Sequence, residues 1–391
     1  MTIQSTGPKL AAIVRASQII DHQFVPFIRG VKSHKVCLVY KLIIVILFTL
    51  SSNVFANKLN IKEELNITLE NIRTQNNIPA MAVVIMSSGE VSFIQGFGFL
   101  DDAKLKPTTK DSLFRVASIS KLFTAQAIMQ LVEKNQLKLD DNIGKYLPIF
   151  KSSNITIKQL LTHSSGVSDL IRPEGIDTQR SELKYLELVK KSAVNNFNNK
   201  TFEYSDTGFN ILGSIISVVS GVSYADYVDK KILVPASMDK SRYFNGVNEN
   251  ISEAPPTYKG KLIDKSEQRP FDTSFNPSEG LVASVNDLKR WLQLTLAHDP
   301  SLLKEQSFKK MLKPQVKTVW GEIYMGLGWQ VYERDGVYIA RHPGGIRGYK
   351  SLVLTYPEKK DAIILLTNSS DTPRWEIAKA ITKILKNNSE W

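Results

Sequence analysis

Ser118-Ile119-Ser120-Lys121 opens the most apolar stretch of this 391-residue chain. Residues three apart share a helix face. The Ser118 hydroxyl and the Lys121 amine can therefore meet one turn apart. Ile119, Leu122, Phe123, Ala125, Ala127, Ile128, Met129, Leu131 and Val132 cover nearly the whole circumference over 117–134. That pattern predicts a helix buried on most sides. Desolvation in such a wall favours an uncharged lysine, which can accept the serine proton and activate its oxygen. The helix N-terminus adds backbone N–H groups and a positive dipole end for an oxyanion. The same Ser-x-x-Lys string recurs at Ser181, Ser237, Ser301 and Ser307, in polar contexts that read as surface. Only at Ser118 does it open an apolar helix.

Two later constellations can complete such a site. Phe202-Glu203-Tyr204-Ser205-Asp206-Thr207-Gly208 precedes an apolar helix from Phe209. A tyrosine beside a lysine can relay a proton; its plain alternative is a core tyrosine at a helix entrance. Arg341-His342-Pro343-Gly344-Gly345 ends a β-rich run. Glycines there let a ligand approach the backbone, or simply make a turn. Arg347 follows closely, and a guanidinium can clamp a substrate carboxylate bidentately or sit solvated on a loop. His163, in Thr162-His163-Ser164-Ser165-Gly166, is the base a Ser–His–Asp hydrolase would need. No G-x-S-x-G elbow accompanies it, so it reads as a structural residue behind the site.

The elements that must carry these groups follow from periodicity. A helix is predicted over 60–76, and a hairpin over Met81–Met86 and Val91–Phe99. Further helices are predicted at Ser181–Val194 and Asn210–Val219, with prolines at 255, 256, 270 and 277 marking irregular connections. The last third turns β-rich: Gly328–Tyr332, Val337–Arg341, Ser351–Tyr356 and Ala362–Asn368, closed by a helix over 374–386. Two early strands and three or four late ones imply one antiparallel sheet, with the helical middle as a second lobe. Trp291, Trp320, Tyr324 and Trp329 can line a pocket or fill the core.

Taken in order, the three constellations resemble the serine β-lactamase and penicillin-binding peptidase superfamily. They resemble most its class C-like branch of D-alanyl-D-alanine carboxypeptidases, esterases and amidases. Supporting strings are Leu113–Ser118, Leu139-Asp140-Asp141, Tyr146-Leu147-Pro148, Leu160–Gly166 and Gly280–Ser284 with Asp287-Leu288. The resemblance implies an α+β, β-lactamase/transpeptidase-like fold. An antiparallel sheet of five or more strands would be flanked by N- and C-terminal helices. The sheet lobe is expected near 57–115 and 280–391, the helical lobe near 116–279.

By position, the resemblance implies that Ser118 is the acylated nucleophile, Lys121 its proton acceptor and Tyr204 the second general acid/base. His342 and Gly344 match the third motif, and the backbone N–H groups of Ser118 and Gly345 match the oxyanion hole. Two residues depart from the family pattern. Asp206 stands where asparagine is usual; an ionised carboxylate cannot donate to a substrate carbonyl, and it opposes a neutral Lys121. His342 stands where the family's third motif often begins with a lysine, so one fixed positive charge is lost. The implied activity is acyl-enzyme hydrolysis of an amide or ester, without metal or cofactor. A D-alanyl peptide, a small ester and a β-lactam are the candidate substrates; a silent peptidoglycan-binding homologue is the rival.

Composition bounds the rest. The chain is 42% hydrophobic and 23% charged with one cysteine, which excludes a disordered chain and a disulfide scaffold. The formal charge of +12 is concentrated at the start, where residues 1–56 hold six Lys/Arg against one Asp. No basic block follows, so a nucleic-acid partner is not expected. Lys41, the apolar run Leu42–Phe48 and the end Val54-Phe55-Ala56 describe a secretory signal cleaved after Ala56. The run is shorter than the ~20 residues of a membrane span, and membrane contact is expected only through this segment if it stays uncleaved. Residues 1–38 are unusually long for such a signal, which suggests a true translation start near Leu38 or Val39. The expected location is outside the cytoplasm, and a mature chain lacking Cys37 suits it.

Overall fold

The computed structural model describes residues 61–169, 182–192, 201–243, 253–264, 267, 272–388 and 391. The signal-like segment, Cys37 and the cleavage point after Ala56 lie outside these residues. The chain divides after Glu64, and Leu65–Trp391 forms one compact unit. The first predicted helix is helical over 61–75.

Eight strands form one antiparallel sheet. We number them β1 (Ala80–Ser87), β2 (Glu90–Gly98), β3 (Val316–Lys317), β4 (Tyr324–Met325), β5 (Gln330–Arg334), β6 (Val337–Ile346), β7 (Tyr349–Tyr356) and β8 (Asp361–Thr367). Their spatial order is β2-β1-β8-β7-β6-β5-β4-β3. The predicted hairpin is β1–β2, turning at Ser88-Gly89, where φ is +53° and +84°. β1 and β8 are buried along almost their whole length, so the sheet centre is covered on both faces. Its apolar runs are β-branched and continuous rather than alternating, as two-sided burial requires. The short β3 and β4 were not legible as strands.

Between β2 and β3 the chain builds the helical part. Its principal helices are α1 (Ser120–Glu133), α2 (Asp206–Ser220) and α3 (Val285–Leu296). α1 is buried from Ser120 to Leu131, which explains its all-round apolar sequence. α2 starts three to four residues earlier than its apolar run because Ser205 caps it, accepting from Gly208 N at 3.0 Å, and it ends at Gly221 in the left-handed region. Gly213 lets α2 meet the 276–279 turn: a Cβ there would lie 2.1 Å from Pro277 Cγ. Trp291 and Trp329 are core residues, stacked at 6.3 Å between ring centroids and 1% exposed; they wall only a small cavity of ≈ 10 Å³. The final helix, α4 (Arg374–Asn387), buries Ile377, Ala378, Ile381, Ile384 and Leu385 on one stripe. Among the described residues no single helix is long and apolar enough to cross a membrane.

Candidate active site

Ser118 sits in a 3-10 turn, Ala117–Ile119, just ahead of α1 rather than within it. The reason is local. Ala117 has φ +50°, a left-handed conformation that a non-glycine residue adopts only when its surroundings impose it. Those surroundings are explicit. Val116 N donates to Leu281 O (3.0 Å), and Val116 O accepts from Ser351 Oγ (2.7 Å). Ser120 Oγ donates to Ala117 O (2.8 Å) and accepts from Leu281 N (3.0 Å). The turn is thus tied to β7 and to the strand Leu281–Ala283.

Lys121 is fully buried, donates to Ser118 and Ser278 and forms an ion pair with Asp206. Nζ lies 3.1 Å from Ser118 Oγ, 3.0 Å from Ser278 O and 2.6 Å from Asp206 Oδ1. Burial alone pushes the amine down, as expected from sequence. The Asp206 carboxylate and the Tyr204 phenol outweigh that burial, and the lysine is held above its ordinary value. The resting lysine is therefore held toward its ammonium form, the opposition to a neutral Lys121 that Asp206 announced in the sequence. The cause is the residue that departs from the family pattern.

Tyr204 enters from the loop before α2. Its ring centroid is 5.1 Å from Lys121 Nζ and stacks on His163 at 4.2 Å. Burial and then the nearby carboxylate raise the phenol, only partly offset by Lys121, so it stays protonated at neutral pH. His163 is buried behind it and accepts from Ser205 N at 3.0 Å through Nδ1. Burial, then Lys121 and His342, hold His163 well below its ordinary value. It is a neutral brace for Tyr204. Asp169, which the sequence reading missed, accepts from the Asp206 and Thr207 N–H groups and orients the start of α2.

The third motif lies within β6, which continues five residues beyond the predicted strand end. β5 pairs with β6 only as far as Gln330↔Arg341. On that side the edge of 342–346 is unpaired among the described strands, while β7 pairs the other side. Gly344 faces the nucleophile turn. A Cβ there would lie 2.0 Å from Ser351 Oγ and 2.3 Å from Val116 O, so only glycine lets the strand come this close. Gly345 is exposed at the cleft edge. His342 is fully buried, and its Nδ1 lies 2.9 Å from Pro343 O. A carbonyl only accepts, so Nδ1 carries the proton and Nε2 is a bare acceptor with no partner. Burial and then Lys121 push His342 down to about 3.

Arg347 has another partner. It is exposed and ion-paired with Glu267, and it does not line the cleft. The cations that do are Arg341 and Arg374, both missed by the sequence reading. Arg374 donates to Gly344 O and, at 3.1 Å, to Ser351 O. The Arg341 guanidinium lies 4.2 Å from the Trp375 ring centroid. Together with Tyr204, Trp320, Gln330 and Pro343 they line an open cleft of ≈ 320 Å³. Arg341 carried a signal, since strand alternation puts it on the face opposite His342. Arg374 carried none, arriving from a helix thirty residues later.

Comparison with known proteins gives the family and the fold. The family profile described as Beta-lactamase matches residues 65–385. Penicillin-binding protein 4* of Bacillus subtilis (strain 168) is 28% identical over 326 residues, 78% of this chain and 71% of that protein. Protein flp of Staphylococcus aureus (strain MRSA252) is 27% identical over 323 residues, 78% of this chain; the chain spans only 63% of that relative's length. The solved structure of the octameric penicillin-binding protein homologue from Pyrococcus abyssi superposes with a TM-score of 0.71 at 28% identity, covering 84% of this chain and 77% of the other. The chain belongs to the Beta-lactamase family of serine hydrolases.

Proposed function

We propose that the protein hydrolyses an amide or ester through a Ser118 acyl-enzyme, with a D-alanyl peptide or a related small ester as substrate. The observation that carries this reading is the 3.1 Å contact between Lys121 Nζ and Ser118 Oγ, set beside an unpaired strand edge. An extended substrate would pair with the 342–346 edge as an added strand. Its carbonyl oxygen would meet the N–H groups of Ser118 and Gly345.

The resting ammonium sets the order of proton transfers. Lys121 first passes a proton to Asp206 Oδ1, its 2.6 Å neighbour. The freed amine then takes the Ser118 proton as Oγ bonds to the carbonyl carbon. Tyr204 gives its proton to the departing amine or alcohol and is refilled from Lys121. Water retraces these steps on the acyl-enzyme, releasing the acid and Ser118. Asp206 finally returns its proton to Lys121, so the cycle balances.

A fluorescent penicillin or a fluorophosphonate tests the proposal. Both should label the protein covalently, and Ser118→Ala should lose label and turnover by at least ~10⁴-fold. A protein that binds either probe only reversibly is the silent peptidoglycan-binding homologue, a reading favoured by the charged Lys121. β-Lactam turnover is the weaker activity, because Asp206 offers no N–H to a substrate carbonyl. The signal-like segment before Ala56 supports an exported enzyme, which cell fractionation tests.

A further inference from the structure

A second concavity, of ≈ 670 Å³, runs between α4 and the β5–β7 surface. It shares Arg341 and Trp375 with the cleft beside Tyr204, so the two adjoin. Its lining cations are Arg334, Arg341, Lys359, Lys379, Lys383 and Lys386. Among the described residues only two acidic side chains line it, and one of them, Asp361, is buried and accepts from Ser88 N at 2.8 Å.

A solvated helix face usually intersperses its lysines with acids three or four residues away. α4 does not: its sole acid is Glu376, in the first turn. Lys379, Lys383 and Lys386 follow at i, i+4 and i+7, all exposed. At 1.5 Å rise per residue they form a row of about 10 Å along the axis. Trp375, one turn before the row, leads it into the cleft. The half-buried Arg341 guanidinium lies 4.2 Å from Trp375 and 5.0 Å from Tyr332, ring centroid to Cζ, and bonds only the neutral Gln330 and Tyr332. Burial lowers its pKa and Arg334 adds to the effect. A cation held out of water without a counter-charge is costly, and an anion forked onto it relieves that cost.

We propose that this groove is an exosite for a linear polyanion, an extended chain bearing repeated phosphate or carboxylate groups, which delivers an acylated part of itself to Ser118. The inference rests on the hydrolase reading for the delivery step alone. Aromatic walls at Tyr332 and Trp375 would hold the spacer between charges, while the lysine row would hold the charges. A lipid bilayer is flat and does not fit a groove walled by a helix and a sheet.

The test uses the full-length Ser118→Ala protein, so binding is measured without catalysis. Labelled inorganic polyphosphate, polyglutamate and uncharged dextran are titrated by fluorescence anisotropy, alongside phosphatidylglycerol vesicles. One polyanion should bind saturably and weaken steeply with salt; whichever binds better identifies the acidic group. Combined Lys379→Glu, Lys383→Glu and Lys386→Glu should weaken it at least tenfold. Reversal of three exposed lysines elsewhere, Lys106, Lys138 and Lys151, should leave it unchanged. A Lys→Arg triple at 379, 383 and 386 should retain binding, which separates lost charge from lost fold. Equal weakening in both reversed triples, equal binding of dextran, binding to vesicles alone, or no binding would overturn the exosite. None of these outcomes bears on covalent labelling of Ser118, which tests the hydrolase reading separately.

Discussion

On the inner side of β6, His342 and Gly344 face the nucleophile turn, and every charge there has an answer. Lys121 is matched by Asp206 at 2.6 Å, and His163 and His342 are held neutral by burial. On the outer side, Arg341 and Arg374 are half-buried with no carboxylate partner among the described residues. One strand therefore separates a region whose protons are set before substrate arrives from a region left with charge to spare. In the proposed reading the inner side performs the chemistry and the outer side selects what reaches it.

Four perturbations break or sharpen that contrast. Gly344→Ala acts most strongly. Its Cβ would force β6 away from Val116 O and Ser351 Oγ, shifting the turn that aims Ser118. A displacement near 1 Å costs roughly 10²-fold in rate, so kcat should collapse; near-wild-type kcat would mean the two segments move apart freely. His342→Gln tests the neutral inner charge state. A histidine whose folded pKa lies below its unfolded value stabilises above pH 6.5, and that stability is lost as pH falls toward the folded pKa of about 3. Between pH 7 and pH 5 the wild type should lose about 2 kcal/mol from this group, seen as a lower urea midpoint, and the variant should lose less. An equal loss in both would remove His342 as the cause.

Asp206→Asn removes the main influence holding Lys121 up, so the buried amine should fall. The alkaline rise of kcat/KM should then move to lower pH, and acylation at pH 7 should increase roughly tenfold. A slower enzyme with an unmoved pH profile would show that acylation needs Asp206 as the acceptor of the Lys121 proton and that lowering the amine does not replace it. Arg341→Ala acts on the outer face and has the smallest effect. It should raise KM about tenfold for an anionic substrate and leave a neutral ester nearly unchanged; equal changes for both would put Arg341 in general packing.

Much of this was legible in the sequence because it is periodic or local. The all-round apolar character of 117–134 located α1, and the β-rich runs after 328 located the late strands. Ser118, Lys121, Tyr204 and His342 were found as residue types in characteristic company, and the fold brings them together. What escaped depends on distant segments meeting. That Asp206 opposes a neutral Lys121 was legible from its departure from the family pattern, but its 2.6 Å contact from 85 positions away was not. Arg374 reaches Gly344 O from the start of α4, which no spacing rule announces. Arg347 looked suitable by proximity in sequence, but the turn after β6 sends it to Glu267. Trp291 and Trp329 show the same ambiguity: a tryptophan's type does not say which side of a wall it is on.

The bare edge of β6 also determines what kind of information the enzyme can read. Main-chain donors and acceptors recognise the direction of an extended chain, but not the side chains it carries. Preference among residues must therefore be written elsewhere, in the few side chains that rim the opening. Such an edge accepts varied cargo, and relatives can change diet by altering the rim without touching the strand.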